Sequence, residues 1–288
     1  MSALVQHACS FLFVPANRPE RLPKALASGA DMVIADWEDA VAPADKDAAR
    51  VALLAACAEL PPAQRARLLV RINAEGTAWH GPDVRALAQL VEQGVAGAVV
   101  PKAESTGTLH GVAAVAGPAC ALVPLIESVA GLDAVDVLAR VPQVARLAFG
   151  HLDFQVDAGM QCGPDEGELL PVRMALVLAS RRAQLAQPID GVTVDTRDAA
   201  TTTADTQRAQ RIGFGAKLCI HPGQVAAVHA VFAPTAEAVA RAQQVEQAMA
   251  AAQGGVCVLD GRMVDAPVLH LARQTLQRHA WALQRVAV

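Results

Sequence analysis

Tyrosine is absent from the 288 residues, and Phe and Trp bring the aromatic content only to 3%. Protein surfaces that stack on bases need aromatic platforms, and this chain has too few to build one. Charge is also sparse: Asp, Glu, Lys and Arg make up 18%, the net charge is −4, and Lys and Arg are scattered along the chain. The basic footprint of a nucleic-acid binder or of a protein that reads anionic membranes is therefore missing. The six cysteines, Cys9, Cys57, Cys120, Cys162, Cys219 and Cys257, show no paired spacing. They read as small buried hydrophobes in a reducing compartment, and no His or Cys cluster is legible that would select a soft metal. No apolar run approaches the ~18 residues of a membrane span, and no basic start leads into a long apolar stretch. A cytoplasmic location is expected, with neither membrane nor nucleic acid as partner.

What the chain has in abundance is apolar side chains, 53% of the total, enough for one large core. Short apolar runs of strand length alternate with Ala-rich amphipathic segments, the pattern of repeated βα units. Eight runs are predicted as strands: Ser10–Val14, Met32–Asp36, Leu68–Ile72, Gly97–Val100, Ala121–Ile126, Arg146–Phe149, Gly191–Val194 and Ala216–Ile220. Each is continuously apolar, as strands buried on both faces must be. Helices are predicted over Pro43–Glu59, Pro82–Gln93, Ser128–Ala139 and Pro171–Ala186, with Ser128, Asp165 and Asp205 as helix starts. Eight such units close into an α/β (β/α)8 (TIM) barrel over residues 1–233. Residues 234–288 change character: a helix over Pro234–Ala252, a short glycine-bounded segment from Gly254 to Asp265, and a final helix from Pro267. That is a helix–hairpin–helix, assigned as a lid or an intersubunit arm.

In such barrels the reactive side chains sit at the C-terminal ends of the strands. Just past each strand stand Asn17 and Arg18, then Asp36, Glu38 and Asp39, then Arg71, Lys102, Glu127, Asp153, Asp195 and His221. Glu127 and Asp153 follow neighbouring strands five and six, so two carboxylates converge on one mouth. Carboxylate oxygens with room for water and substrate suit Mg2+. Equally, each acid has a bland reading as a cap on the helix that follows it. Arg71 ends strand three; its guanidinium fits a substrate carboxylate through paired hydrogen bonds, and also a salt bridge to the acids after strand two.

Seven stretches, in order, resemble the citrate lyase β-subunit-like branch of the HpcH/HpaI aldolase family: Leu12 to Arg21, Asp36 to Val41, Val70 to Asn73, Pro124 to Ser128, Phe149 to Phe154, Lys217 to Pro222 and Asp260 to Pro267. The resemblance implies Glu127 and Asp153 as Mg2+ ligands and Arg71 as the contact to the substrate's carboxylate and reacting oxygen, with Glu38 and Asp39 holding Arg71 and metal-bound water. It implies that Asn17, Arg18, Arg21 and Lys24 meet the phosphates of coenzyme A. Asp265 matches a lid carboxylate that enters the site, commonly of a neighbouring subunit, within a trimer or hexamer; by itself it reads as a turn residue before Pro267.

The activity implied is cleavage or formation of a 3-hydroxyacyl-CoA such as malyl-CoA or citramalyl-CoA, or a citryl thioester, with acetyl-CoA and a 2-keto acid as the other side of the equilibrium. Two alternatives stay open: a class II 2-keto acid aldolase that ignores coenzyme A, and a subunit that works only with an acyl carrier or binds without turnover. Two positions depart from the family pattern, Leu152 where many relatives carry an acid, and Trp37 in place of a smaller aliphatic. His221 is expected to fix the last βα loop by a hydrogen bond. His7, His110, His229, His270 and His279 look incidental.

Overall fold

The computed structural model describes residues 3–253 and 255–286. The chain forms two compact units, Met1–His229 and Ala230–Val288. In the first, eight parallel strands close a barrel in sequence order: β1 (Ser10–Pro15), β2 (Met32–Asp36), β3 (Leu68–Arg71), β4 (Gly97–Val100), β5 (Ala121–Ile126), β6 (Ala148–Phe149), β7 (Ile189–Asp190) and β8 (Ala216–Cys219). β8 returns to β1, with Ser10 opposite Lys217 and Leu12 opposite Cys219, so no sheet edge is left open. Phe11, Met32, Ile34, Leu69, Val99, Val123, Ile189 and Leu218 fill the interior core. At Gly97 a side chain is impossible, because a Cβ there would stand 1.9 Å from the carbonyl oxygen of Ala121 on the adjacent strand.

Two strand registers set up the mouth. Asp36 lies opposite Arg71 across β2 and β3, and Ile126 lies opposite Phe149 across β5 and β6. The second pairing makes Glu127 and Gly150 neighbours just beyond the strand ends. Among the described residues no helix is long and apolar enough to cross a membrane.

Several predicted bounds shift. Strand seven is Ile189–Asp190 rather than Gly191–Val194, because the ladder to β8 is made by Ile189 and Asp190. The following apolar residues belong to the mouth loop, where Val194 is exposed. Strand six is shorter than predicted; buried Arg146 donates instead to the carbonyls of Gln187, Val5 and Ala8. Ser128 does cap a helix, accepting from Gly131 N, but its segment breaks into Val129–Asp133 and Val135–Leu138. Asp205 lies inside the helix Ala199–Ile212; the cap is Asp198, which accepts from Ala200 N.

In the second unit, a helix over Ala236–Ala251 starts on Thr235, whose hydroxyl accepts from Ala238 N. An antiparallel pair follows, β9 (Cys257–Leu259) and β10 (Arg262–Val264). Asp260 and Gly261 turn between them, both at positive φ, as a two-residue hairpin loop of this hand requires. A long helix, Ala266–Val286, completes the unit, and Ala242, Val245, Met249, Val264 and Ala272 form its core. Gly254, one bound of the predicted segment, lies outside the described residues.

Candidate active site

The C-terminal mouth of the barrel opens into a cleft of about 410 Å3 lined by Phe13, Asp36, Asp39, Arg71, Glu127, His151, Leu152 and Asp153, among others. Arg71 organises one side. Its Nε and Nη2 donate to the two oxygens of Asp36 at 2.8 and 2.6 Å, and its Nη1 stands 2.9 Å from Glu38 and 3.3 Å from Asp39. The guanidinium also lies over the ring of Phe13, 4.9 Å from its centroid. Burial disfavours the charge of Arg71, yet the hydrogen bonds and charges of Asp36, Glu38 and Asp39 together hold its pKa well above the ordinary value.

The loop that presents these acids is clamped from beneath. Lys46 Nζ donates to the carbonyls of Trp37 and Glu38 at 2.8 and 2.9 Å and to Asn73 Oδ1 at 2.6 Å. Asn73 donates in turn to Asp83, which also receives Arg50. Trp37 is wholly buried in this layer and is not among the residues lining the cleft. The departure at this position therefore changes the support under the mouth and leaves the cleft wall as it is.

Glu127 faces Arg71 from the end of β5 and is nearly fully buried. Its Oε1 accepts from the backbone N of Lys102 at 2.7 Å. Lys102 holds a left-handed backbone, φ 44°, to make that contact, a conformation that costs about 1–2 kcal/mol in a non-glycine residue. Burial pushes the Glu127 carboxyl up to about 7; the Lys102 hydrogen bond opposes this, and the charge of Asp153 adds to it. Asp153 sits in the first turn of the helix His151–Asp157 and lines the same cleft. Burial likewise lifts Glu38, to about 8, against the pull of Arg71 and with the push of Asp39, Glu127 and Asp36.

Carboxylates therefore outnumber cations around the cleft. Two of them, Glu127 and Asp153, face it as oxygen donors without a guanidinium of their own, and an oxygen-preferring dication fits that set. The backbone makes room for it at Gly150, where a Cβ would stand 2.5 Å from Glu127 Oε2. His151, which lines the cleft beside Asp153, is fixed by a buried ionic cluster: its Nε2 lies 3.3 Å from Glu166. Arg173 and Arg208 converge on that same carboxylate, and Arg173 also pairs with Asp190 at 2.9 Å.

The other predicted site residues divide into two groups. Arg21 and Lys24 line a second cleft of about 370 Å3, with Phe13, Pro15 and His221. Arg18 is exposed and donates to Glu20 at 2.6 Å, while Asn17 Oδ1 is buried without a hydrogen-bond partner among the described residues. His221 Nδ1 accepts from Gly223 N at 3.1 Å and so caps the turn after β8. Asp265 belongs to the second unit, where its carboxylate accepts from Val268 N at 3.2 Å at the start of the last helix.

Residues at the mouth that sequence reasoning left without a role are Asp36, Lys46, Lys102 and Gly150. Asp36 was visible at a strand end, but its preference for the Arg71 fork over its two acidic neighbours depends on register. Lys102 acts through its backbone, which leaves no trace in residue type.

A mouth rich in carboxylates around one buried arginine, at the C-terminal end of a (β/α)8 barrel, is a setting suited to metal-assisted barrel lyases and aldolases. The chain belongs to the HpcH/HpaI aldolase/citrate lyase family, whose sequence profile matches residues 9–222. It is 34% identical to the citrate lyase subunit beta-like protein of Deinococcus radiodurans, covering 94% of this chain and 97% of that one. It is 31% identical to the L-malyl-CoA/beta-methylmalyl-CoA lyase of Cereibacter sphaeroides, covering 88% and 89%. Among solved structures, CitE of Mycobacterium tuberculosis in complex with magnesium, acetoacetate and coenzyme A superposes with a TM-score of 0.80 at 32% identity, over 96% of this chain and 99% of that one.

Proposed function

We propose that this protein is a Mg2+-dependent carbon–carbon lyase that cleaves, or forms, a 3-hydroxyacyl-CoA whose hydroxyl carbon bears a carboxylate, such as malyl-CoA or citramalyl-CoA. The observation that carries the proposal is that Glu127 and Asp153 line one cleft with Arg71. Glu127 and Asp153 would hold Mg2+, which would supply Lewis-acid stabilisation of the oxygen charge that develops at the reacting centre.

Arg71 anchors the carboxylate with charge-assisted hydrogen bonds, and Asp36, Glu38 and Asp39 keep its plane fixed. In the cleavage direction a base in the acidic mouth takes the hydroxyl proton. The bond between the hydroxyl carbon and the methylene breaks, and its electron pair passes to the thioester as an enolate. The hydroxyl carbon becomes the carbonyl of a 2-keto acid, and protonation of the enolate carbon gives acetyl-CoA; no oxidant or reductant is consumed. Asp265, brought by the lid of a neighbouring subunit in a homotrimer, delivers or removes that proton. Arg21 and Lys24, beside the second cleft, receive the phosphates of coenzyme A, and the reaction runs in the cytoplasm.

The test is incubation of the purified enzyme with Mg2+ and malyl-, citramalyl- and citryl-CoA. Release of acetyl-CoA from at least one is expected, and Glu127→Ala or Asp153→Ala should abolish it. Undiminished release in either variant, or turnover of free pyruvate with an aldehyde while every CoA ester is ignored, overturns the proposal.

A further inference from the structure

We propose that Cys9, Asp31 and His229 form a second cation site, at the end of the barrel opposite the acidic mouth, suited to a thiolate-accepting divalent ion such as Zn2+. The three are far apart in sequence. Cys9 immediately precedes β1, Asp31 immediately precedes β2, and His229 lies in the helix Val225–Phe232 that follows β8. Folding brings one donor atom from each within 4.8 Å of the others, with Asp31 Oδ2 and His229 Nε2 at 3.5 Å. Around tetrahedral zinc, bonds of ~2.0–2.3 Å place neighbouring donors roughly 3.3–3.8 Å apart. The three donors are therefore within about an ångström of a binding arrangement.

The surroundings favour a soft ion. A thiolate and a carboxylate together neutralise a dication, which matters where Cys9 is nearly fully buried and the Asp31 side chain is only 5% exposed. Asp31 is held in place as Oδ2 accepts from the backbone N of Cys9 at 2.7 Å and of Ser10 at 3.3 Å. Ser10 Oγ accepts from Asp31 N at 2.9 Å and stands 2.7 Å from His229 Nε2. An ion would displace that Ser10 contact, because both need the single lone pair of a neutral imidazole at Nε2. The His229 side chain is 23% exposed, which gives an ion a way in and a water a fourth position. Mg2+, which wants an octahedron of oxygens, is excluded by the sulfur donor, so the two ends of the barrel select different ions. An ion here ties the starts of β1 and β2 to the helix after β8, across the seam that closes the barrel.

The test is titration of the full chain, free of any histidine tag and kept reduced, with Co2+ in the presence of excess Mg2+. One equivalent should give the strong visible bands of tetrahedral Co2+ and a thiolate-to-cobalt charge-transfer band, both bleached by Zn2+. Zn2+ should raise the melting temperature and protect Cys9 in the wild-type protein from alkylation, read by mass spectrometry. Glu127→Gln should keep the bands; Cys9→Ser should lose the charge-transfer band, and His229→Gln should weaken binding roughly tenfold or more. Absence of a stoichiometric band, its survival in Cys9→Ser, its loss in Glu127→Gln, or unprotected Cys9 leaves only a hydrogen-bonded latch and overturns the proposal.

Discussion

Arg71 and Asp36 meet edge to edge, with two parallel hydrogen bonds of 2.8 and 2.6 Å between guanidinium and carboxylate, and this follows from the register that sets them opposite each other on β3 and β2. The bidentate contact consumes one edge of the fork and turns the rest of the guanidinium towards Glu38, Asp39 and the cleft. Asp36 is thus the residue that aims Arg71, and the clamp of Lys46 on the carbonyls of Trp37 and Glu38 keeps the acidic loop from retreating.

Replacing Arg71 by Lys keeps the charge and removes the fork. An ammonium cannot hold both oxygens of Asp36 while also reaching Glu38. Turnover of the CoA ester should fall about 10²- to 10³-fold, the loss typical of one preorganised donor to a developing charge. Steady-state kinetics with circular dichroism checks this; activity within a few-fold of wild type would mean that the planar geometry is dispensable.

Gly150 is predicted to be as intolerant as a catalytic side chain. A Cβ at this position stands 2.5 Å from Glu127 Oε2 and 2.6 Å from Glu127 Cβ, so Gly150→Ala must push the carboxylate away. Mg2+ affinity, read by titration calorimetry, should drop at least about tenfold while the fold persists, since second contacts of metal ligands typically contribute 10- to 100-fold. An unchanged Mg2+ affinity would show that Glu127 has room to move without losing the ion.

The barrel was legible because every strand is buried on both faces and reads as an apolar run, and the mouth residues were legible because strand ends are where polar groups interrupt those runs. Val192 and Val194 extend the apolar run into a loop that the ladder does not include, so the sequence pattern sets strand seven two residues late. The Glu127–Lys102 contact is carried by a backbone N–H and the Glu127–Gly150 contact by a missing side chain, neither of which has a sequence period. Cys9, Asp31 and His229 escaped for a related reason. Cysteine and histidine sites are recognised by short spacings, and here the proximity is created by closure of the barrel between β1 and β8.

Glu166 gives the pH dependence of stability. Burial alone would raise its pKa, but hydrogen bonds and charges from His151 and Arg173 outweigh that and hold the carboxyl down to about 2, below the ordinary 4.5. A depressed acid stabilises the fold above its unfolded pKa and loses that contribution as pH falls towards the folded value. Wild-type stability should therefore decline between about pH 4.5 and pH 2 by on the order of 2–3 kcal/mol more than that of Glu166→Gln. Urea unfolding at stepped pH reads the difference, and parallel curves for the two proteins would show that the cluster is not coupled to folding.

Asp265 has one contact in the structure, its carboxylate accepting from Val268 N at the head of the last helix, and one proposed role as proton donor, and a single substitution confounds the two. Alanine removes both the cap and the acid, and loss of a cap alone costs about 1 kcal/mol. Asparagine separates them: it caps a helix as well as aspartate does but cannot shuttle a proton at neutral pH. If Asp265 supplies the proton to the enolate, Asp265→Asn should melt close to wild type, bind Mg2+ normally and still lose turnover by roughly 10²-fold or more. Solvent deuterium exchange into the methyl of acetyl-CoA, followed by NMR, should fail in the same variant, because that exchange needs only the proton step. A variant that exchanges and turns over like wild type would make Asp265 a helix cap and assign the proton to a group within the barrel mouth.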